Sequence, residues 1–253
     1  MEKITVFLAD WQVLFREGIH FTLSGEEDMD VIGEAAENEE ALAFIEKTPP
    51  NIAILNANHS KLSGVDACRR LKQNLPEVMV ILIMDSENEE QLYSAMKSGA
   101  SACLTKDADP EDVVNLIRGV AQGAQPISEA LLRPEIAAHV VEEFEVFTAI
   151  GKKVADLLAH LLPVESNILR HIINGTPLEE ITKTLNLSEE IIRYHLNLIL
   201  AKLVANDRSR EVIEAAQSGV MPRAGKPGVE YVTREEFNEF KEKLIERFKS
   251  LVS

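Results

Sequence analysis

The chain has 253 residues, enough for one or two domains of ordinary size, and its 42 acidic residues outnumber 26 basic ones. Hydrophobic residues make up 45% of it, but no apolar run approaches the roughly 20 residues of a membrane-spanning helix. Two cysteines exclude a disulfide framework and a multi-cysteine zinc site. Because the start of the chain shows no secretory signal, we expect a cytoplasmic protein. The histidines show no metal-ligand spacing, and we expect neither a metal nor a cofactor.

Short apolar runs alternate with segments of helical periodicity through the first half of the chain. This alternation predicts βα units and a parallel sheet. The third and fourth runs are apolar at every position, which is typical of central strands covered by helices on both faces. Asp109 followed by Pro110 and two acids is typical of a helix start. The sequence therefore predicts a (βα)5 domain over residues 1–125, with strands at Ile4–Leu8, Val31–Ala35, Ile52–Leu55, Val78–Met84 and Ala102–Leu104.

The rest of the chain has no strand signal. Residues 126–161 have helical spacing and predict a connector, and residues 162–220 predict a small all-helical domain. Segment 221–228 contains two prolines and two glycines and predicts a linker, and residues 229–253 predict an amphipathic C-terminal helix. The helices of the 162–220 domain are expected at Val164–Asn174, Leu178–Leu185, Glu189–Leu203 and Arg208–Ser218.

Charge is distributed unevenly between these segments. Residues 1–125 contain 22 acids and 10 bases, whereas residues 162–220 contain 8 acids and 6 bases. Because an acidic surface repels phosphate, the first domain is excluded as a nucleic-acid surface. The helical domain could be such a surface if its bases cluster.

Particular segments of the first domain resemble the receiver domain of two-component response regulators: VFLAD, FREGI, GEAAENEEAL, NIAILN, LSGVDACRRLK and AMKSGASACLTKD. The later stretch LSEEIIRYHLNLILAKLVANDRSREV resembles the LuxR-type helix-turn-helix of the NarL/FixJ subfamily. The resemblance runs over residues 3–220 in order. It implies a CheY-like receiver, which is an α/β fold with a doubly wound five-stranded parallel sheet, followed by an all-α DNA-binding domain.

The sequence departs from the family where a receiver is phosphorylated. Asn56 stands in place of the phosphoacceptor aspartate, and an amide lacks the nucleophilic oxygen needed to form an acyl phosphate. Trp11 replaces the second of two adjacent acids that help to hold magnesium, so Asp10 alone is expected to bind that ion very weakly. Met84 replaces the family's hydroxyl residue, and Lys106 is retained. These five residues are expected to form a degenerate phosphoacceptor pocket without a catalytic residue.

The sequence leaves the role of Trp11 in this pocket open. Trp11 could pack against a small ligand or a partner, or it could fill the space that the ion leaves. Lys106 is expected to pair with Asp10 and to hydrogen-bond Asn56 as a structural network. The family's switch aromatic is replaced by Cys103, which we expect to be a small buried hydrophobic residue.

A helix-turn-helix is predicted from Leu178–Leu185, a turn at Asn186 and a second helix capped by Ser188. In such motifs the second helix enters the major groove of DNA. Glu190 stands where the family commonly has a base, and an acid there repels phosphate. The candidate DNA contacts are Arg193, His195 and Asn197 toward the bases, and Lys202 and Arg208 toward the backbone.

The resemblance implies a transcriptional regulator that binds promoter DNA as a homodimer, and the departures at Trp11 and Asn56 imply that it acts without aspartyl phosphorylation. The alternative is a scaffold that does not bind DNA and whose acidic domain docks a protein partner. An enzyme has no support beyond the pairing of Lys106 with Asp10. In the C-terminal helix, Phe237, Leu244 and Leu251 recur at the spacing of a coiled coil, so this helix could pair with its two-fold mate or fold back on its own chain. We favour self-pairing.

Overall fold

The computed structural model of the protein describes residues 3–58, 61–86, 88–149 and 158–217. The predicted linker, 221–228, and C-terminal helix, 229–253, lie outside the described residues. The chain divides into two compact units, 1–204 and 205–253. The domain boundaries drawn from the sequence stay predictions. Over the described part of the chain, no helix is both long enough and apolar enough to cross a membrane.

The first domain is a five-stranded parallel sheet with the strand order β2-β1-β3-β4-β5. The strands are β1 (Ile4–Ala9), β2 (Met29–Ala35), β3 (Ile52–Asn56), β4 (Met79–Met84) and β5 (Ala102–Thr105). The helices between and after them are α1 (Val13–Ser24), α2 (Asn38–Ile45), α3 (Gly64–Asn74), α4 (Glu89–Ser98) and α5 (Pro110–Ala121). This confirms the predicted doubly wound α/β fold.

Alternation along each strand divides the core of this domain into two layers. In β1, Val6 and Leu8 face a cluster with α1 and α5, whereas Phe7 and Ala9 face a cluster with α2, α3 and α4. Side chains of a strand point to opposite faces in turn, so a strand covered on both sides must be apolar throughout. Every residue of β3 is buried accordingly.

The strand order reverses between β1 and β3. In such sheets the loops that follow these two strands diverge and leave a crevice at the carboxyl edge. Asp10 follows β1 directly and Asn56 is the last residue of β3. The topology therefore brings together two side chains that are 46 residues apart in sequence.

The cluster on the α2–α4 side continues beyond the first domain. A 3-10 helix (Pro126–Leu132) and α6 (Pro134–Ala149) form the described part of the helical connector, and Leu131 and Val140 are buried in the same cluster as Leu92 of α4. At the edge of this contact, Lys97 of α4 donates to Glu143 of α6 at 2.6 Å. The connector is therefore packed on α4 by apolar burial and by an ion pair.

The helical domain consists of α7 (Pro163–Ile173), α8 (Leu178–Leu185) and α9 (Glu189–Gln217). The expectation of two helices, Glu189–Leu203 and Arg208–Ser218, is wrong, because α9 is continuous. The sequence between residues 189 and 217 contains neither glycine nor proline, the residues that most often end a helix. The polar pair Asn206 and Asp207 lowers helix propensity by well under ~1 kcal/mol each, which does not break the helix.

Gly64, the first residue of α3, fixes how closely the loop after β3 approaches Asn56. A Cβ atom there would clash with the carbonyl oxygen of Asn56 and would lie 2.8 Å from its carbonyl carbon. Both are backbone atoms of β3, so Gly64→Ala should lower the free energy of unfolding by about 1–3 kcal/mol. The measurement is urea denaturation followed by circular dichroism.

The control is Gly119→Ala in the interior of α5. A Cβ atom at that position would meet its nearest neighbour at 3.8 Å, an ordinary contact. Replacing a helix-interior glycine should raise the free energy of unfolding by about 0.5–1 kcal/mol. An equal effect of the two substitutions would contradict this account of Gly64.

Candidate functional site

Asp10, Asn56, Met84 and Lys106 lie at the carboxyl edge of the sheet, at or just after the ends of β1, β3, β4 and β5. Asp10, Asn56 and Met84 are buried. Trp11 follows Asp10 at the mouth of the crevice and is exposed. The structure thus brings Asp10, Trp11, Asn56 and Lys106 together, whereas Met84 borders a different cavity.

Asn56 and Asp10 are joined by a short hydrogen bond. Asn56 donates through Nδ2 to Oδ2 of Asp10 at 2.5 Å, and its Oδ1 accepts from the backbone N–H of Asn58 at 2.9 Å. The other carboxylate oxygen of Asp10 accepts from the backbone N–H of Gln12 at 2.7 Å. Both ends of the amide and both oxygens of the carboxylate are therefore satisfied within the pocket.

Asn38 of α2 supports this pair from behind. Its buried amide donates to the carbonyl oxygens of Asn56 and Leu62, at 3.0 and 2.8 Å. Sequence reasoning missed this residue. A polar side chain among the apolar positions of α2 was the available signal, because a buried amide needs partners.

Lys106 supplies the positive charge of the pocket. Its Nζ lies 3.3 Å from Oδ2 of Asp10, as expected, and 3.2 Å from Oδ1 of Asp85. The expected hydrogen bond to Asn56 is replaced by this second ion pair, because the Asn56 amide is already engaged by Asp10 and Asn58. The hydrogen bond from the Asn58 amide and then the Lys106 ammonium lower the pKa of Asp85 from its ordinary value, against the effect of burial.

Two aromatic rings cover Lys106. Its Nζ lies 5.5 Å from the ring centre of Trp11 and 5.7 Å from that of Phe15, distances at which a cation is attracted to an aromatic face. Trp11 is 54% exposed, so its indole ring does not fill an interior space. It screens Lys106 on one side and leaves an apolar surface open to solvent on the other.

Met84 and Cys103 lie beside a separate apolar cavity of about 170 Å³, whose lining includes Leu92 and Ala108. Cys103 is half-buried, whereas the sequence predicted a buried residue. The thioether of Met84 has no hydroxyl group to donate. Met84 and Cys103 stand where the sequence comparison placed the family's switch residues. Both border a cavity that is lined mainly by apolar side chains.

The helix-turn-helix has the expected local structure. α8 ends at Asn186, which has φ 52° in the left-handed region, and Ser188 accepts through Oγ from the backbone N–H of Ile191 at 3.3 Å. Asparagine tolerates the left-handed region better than most residues, and serine satisfies a free N–H at a helix start. These two residues set the angle at which α9 leaves α8.

The solvent-facing side of α9 carries a mixed set of residues. Glu190, Ile191, Tyr194 and Asn197 are exposed, and Tyr194 is 60% exposed. Of the predicted contacts, Asn197 lies on this side. Sequence reasoning missed Ile191 and Tyr194 as surface candidates, although Ile191, Tyr194 and Asn197 follow one another at intervals of three residues, which was the available signal.

Arg193 is held by two acids. Its Nε and Nη2 donate to Oε1 of Glu189 at 3.0 and 2.7 Å, and its Nη1 is paired with Glu129 in the 3-10 helix of the connector. The side chain is still partly exposed. In this arrangement the strongest candidate for base recognition is therefore occupied by carboxylates.

The other candidates are separated along α9. His195 is half-buried beside the ring of Tyr194, at 5.8 Å between ring centres, and Arg208 lies further along the helix in the second unit. Lys202 donates to both carboxylate oxygens of Glu165, at 2.8 and 2.7 Å. Glu165 is fully buried and also caps the backbone N–H of Leu162 at 2.6 Å. The ammonium of Lys202 is thus committed to the core of the helical domain rather than to a phosphate.

Comparison with known proteins places this architecture in a family. Residues 6–118 match the model of the response regulator receiver domain, and residues 160–215 match that of the bacterial regulatory proteins of the luxR family. The chain belongs to the response regulators that join these two domains, as the sequence predicted, and it is NarL/FixJ-like.

Two relatives align with most of this chain and with nearly all of their own length. The uncharacterized transcriptional regulatory protein YxjL of Bacillus subtilis (strain 168) is 30% identical over 87% of this chain and 98% of its own length. The transcriptional regulatory protein DegU of Brevibacillus brevis is 28% identical over 86% of this chain and 94% of its own. Among solved structures, the receiver domain of the putative response regulator NarL from Mycobacterium tuberculosis has a TM-score of 0.47 and 28% identity, covering 49% of this chain and 99% of that one.

The Lys202–Glu165 pair should be structural. Lys202→Ala leaves a fully buried carboxylate without its cation, which should lower the free energy of unfolding by about 3 kcal/mol. Lys183→Ala, on an exposed lysine of α8, should change it by less than about 0.5 kcal/mol. Replacing the pair by Lys202→Met with Glu165→Leu should recover part of the loss, because no charge is left buried although the Leu162 N–H loses its acceptor. Equal stability of the Lys202→Ala and Lys183→Ala proteins in urea denaturation would contradict this role.

Proposed function

We propose that this response regulator binds promoter DNA as a homodimer and regulates transcription without aspartyl phosphorylation. The observation that carries the proposal is the hydrogen bond from Nδ2 of Asn56 to Asp10. It puts an amide donor at the end of β3, where acyl phosphate formation requires a carboxylate.

The charges around this bond support the same conclusion. Among the described residues of the pocket, Asp10 has the only buried carboxylate, and it is paired with Lys106 and with the amide of Asn56. A magnesium ion prefers several oxygen ligands with negative charge, so it would first have to displace Lys106 from Asp10 and from the exposed Asp85. The pocket is in this proposal a structural network that needs no ion.

On the DNA side, we propose that α9 reads the major groove through Arg193, His195 and Asn197, with Ile191 and Tyr194 added from their exposure. Apolar contacts of this kind fit the methyl group of thymine, and arginine fits guanine. The backbone contacts are Arg208 and, in place of Lys202, the exposed Lys183 of α8, since the first helix of such motifs crosses the phosphates.

A scaffold that does not bind DNA is the second candidate. The observation that favours it is the acidity of the N-terminal turn of α9, where Glu189 and Glu190 are exposed and Arg193 is paired with Glu189 and Glu129. In that case the acidic first domain would dock a protein partner. The DNA-binding experiment below separates the two candidates.

The first prediction concerns the pocket. Acetyl phosphate or beryllofluoride with magnesium should leave both the intact mass of the protein and the emission of Trp11, its only tryptophan, unchanged. The matched control is the double variant Trp11→Asp with Asn56→Asp, which restores the two missing carboxylates and should gain a phosphoryl group in the mass spectrum. Saturable quenching of Trp11 by sub-millimolar magnesium would refute the proposal.

A second prediction concerns DNA selected from a random-sequence pool by the full-length protein. Arg193→Ala should weaken binding to the selected DNA by about 1–3 kcal/mol, whereas Lys183→Ala should weaken all sequences alike and reduce the salt slope by about 1. Glu129→Gln should tighten DNA binding, because Arg193 then has to break an ion pair with only one carboxylate, that of Glu189, before it can contact DNA. If no sequence is enriched over random DNA, the scaffold is the better account.

A further inference from the structure

The cavity beside Met84 lies between the ends of β4 and β5 and the first turn of α4. Its volume is about 170 Å³, and neither Asp10 nor Lys106 borders it. The described residues that line it share one property, which is that none carries a charge: Met84, Leu92, Cys103, Leu104, Thr105 and Ala108. It is therefore a space distinct from the charged pocket and of a different chemical character.

The size of the cavity corresponds to a single ring. An apolar cavity of about 150 Å³ in a protein interior stays free of water and binds benzene. Cys103 stands where the sequence comparison placed an aromatic residue, and a thiol is much smaller than a ring. The cavity is thus about as large as one six-membered ring with a small substituent.

The lining favours a ring over water. A buried water needs two to four polar partners, whereas Leu92, Leu104 and Ala108 offer none through their side chains. The sulfur atoms of Met84 and Cys103 are polarizable and make favourable contacts with aromatic rings. Apolar atoms that face an empty space lose packing contacts, so a ring that fills it restores them.

Thr105 gives the cavity one polar group of known direction. Its hydroxyl donates to Asp107, and this hydrogen bond lowers the pKa of the Asp107 carboxyl. A hydroxyl has one hydrogen and two lone pairs, so Thr105 offers the cavity an acceptor and no donor. A matching ligand carries a hydrogen-bond donor, and it is uncharged, because burying a charge among uncharged residues is costly.

We propose that this cavity binds a small uncharged aromatic molecule with one ring and one hydrogen-bond donor, which is the chemistry of a phenol. Its ring packs between Met84, Leu92 and Cys103, and its O–H donates to Thr105. Cys103 and Thr105 are half-buried, so the ligand enters beside them.

The position of the cavity makes it an input to the DNA-binding domain. Leu92 belongs to the same buried cluster as Leu131 and Val140 of the connector. The next residue, Tyr93, donates to Glu143 of α6 at 2.7 Å. A ligand that presses on Leu92 acts on the helix that carries the connector. This regulatory role rests on the proposed function, whereas binding itself does not.

The test of binding uses phenol itself, titrated into the full-length protein without DNA. Isothermal calorimetry should give a dissociation constant of about 1 mM or lower, within the range for a ligand of this size. In protein labelled with ¹³C at the methionine methyl groups, the Met84 signal should move with the same constant. This signal is identified by its loss in Met84→Leu.

Two variants fill the cavity and should abolish this binding. Cys103→Phe supplies a ring from the chain itself, and Ala108→Leu fills the space from another side, so each should raise the dissociation constant tenfold or more. Filling a cavity does not in general lower stability, so the melting temperature should not fall. The matched control is Leu162→Phe, at an exposed leucine of the helical domain outside the lining, which should leave the constant unchanged.

Thr105→Val tests the polar contact. In the wild type, phenol should bind at least about fivefold more tightly than benzene, because a net hydrogen bond contributes about 1 kcal/mol. In Thr105→Val the two ligands should bind about equally. Benzoate, which carries a charge, should not bind to either protein.

No saturable binding of phenol to the wild type would overturn the proposal. Binding that persists in both Cys103→Phe and Ala108→Leu, or a Met84 signal that does not move, would overturn it as well. Saturating phenol should change the affinity for the selected DNA at least threefold, and an unchanged affinity would overturn the role as an input. Failure to enrich any DNA sequence would count against the proposed function alone, because calorimetry and the methyl spectra contain no DNA.

Discussion

One apolar cluster runs from the α2–α4 side of the sheet through the connector into the helical domain. Leu92, Leu131, Val140, Leu169 and Leu196 are all buried in it, although they belong to five different elements. Burial of apolar surface is the main favourable contribution to folding, and it is cooperative when the cluster is continuous. The connector is therefore part of a core rather than a tether, and the start of α9 is held against the same structure as the sheet.

This shared core changes how a signal could reach the DNA-binding helix. In the pocket, Asn56, Asp10 and Lys106 satisfy one another, and Met84 and Cys103 border an apolar cavity. A change in the equilibrium between two arrangements requires something that binds one of them better. In the proposed function that bias comes from a contact outside the pocket, because no acyl phosphate forms at Asn56.

The acids have two different roles in the structure. Glu165 is buried and stabilises the helical domain through Lys202, whereas Glu129 and Glu189 lie near the surface and neutralise Arg193. A buried pair is costly to break, and a surface pair is worth little and is weakened by salt. In the proposed function, phosphates of DNA can therefore compete with the acids for Arg193 but not for Lys202. Arg193 and Lys202 thus have different roles although both lie on α9: Lys202 stabilises the helical domain, and Arg193 lies in an ion pair near the surface.

The sequence by itself determined the sheet and the identity of the pocket, because both depend on local patterns. The apolar runs predicted β3 and β4, Ser188 predicted the start of α9, and the residue at position 56 is an amide in any fold. Only the tertiary structure decided that Lys202 pairs with Glu165 and Arg193 with Glu129, which are 37 and 64 residues away in sequence. Such pairs depend on how separate elements pack, and a side chain with several rotatable bonds reaches whichever opposite charge the packing places near it. The exposure of Leu14 and Phe21 on α1 was decided in the same way, since periodicity shows which residues share a face but not whether another element covers it.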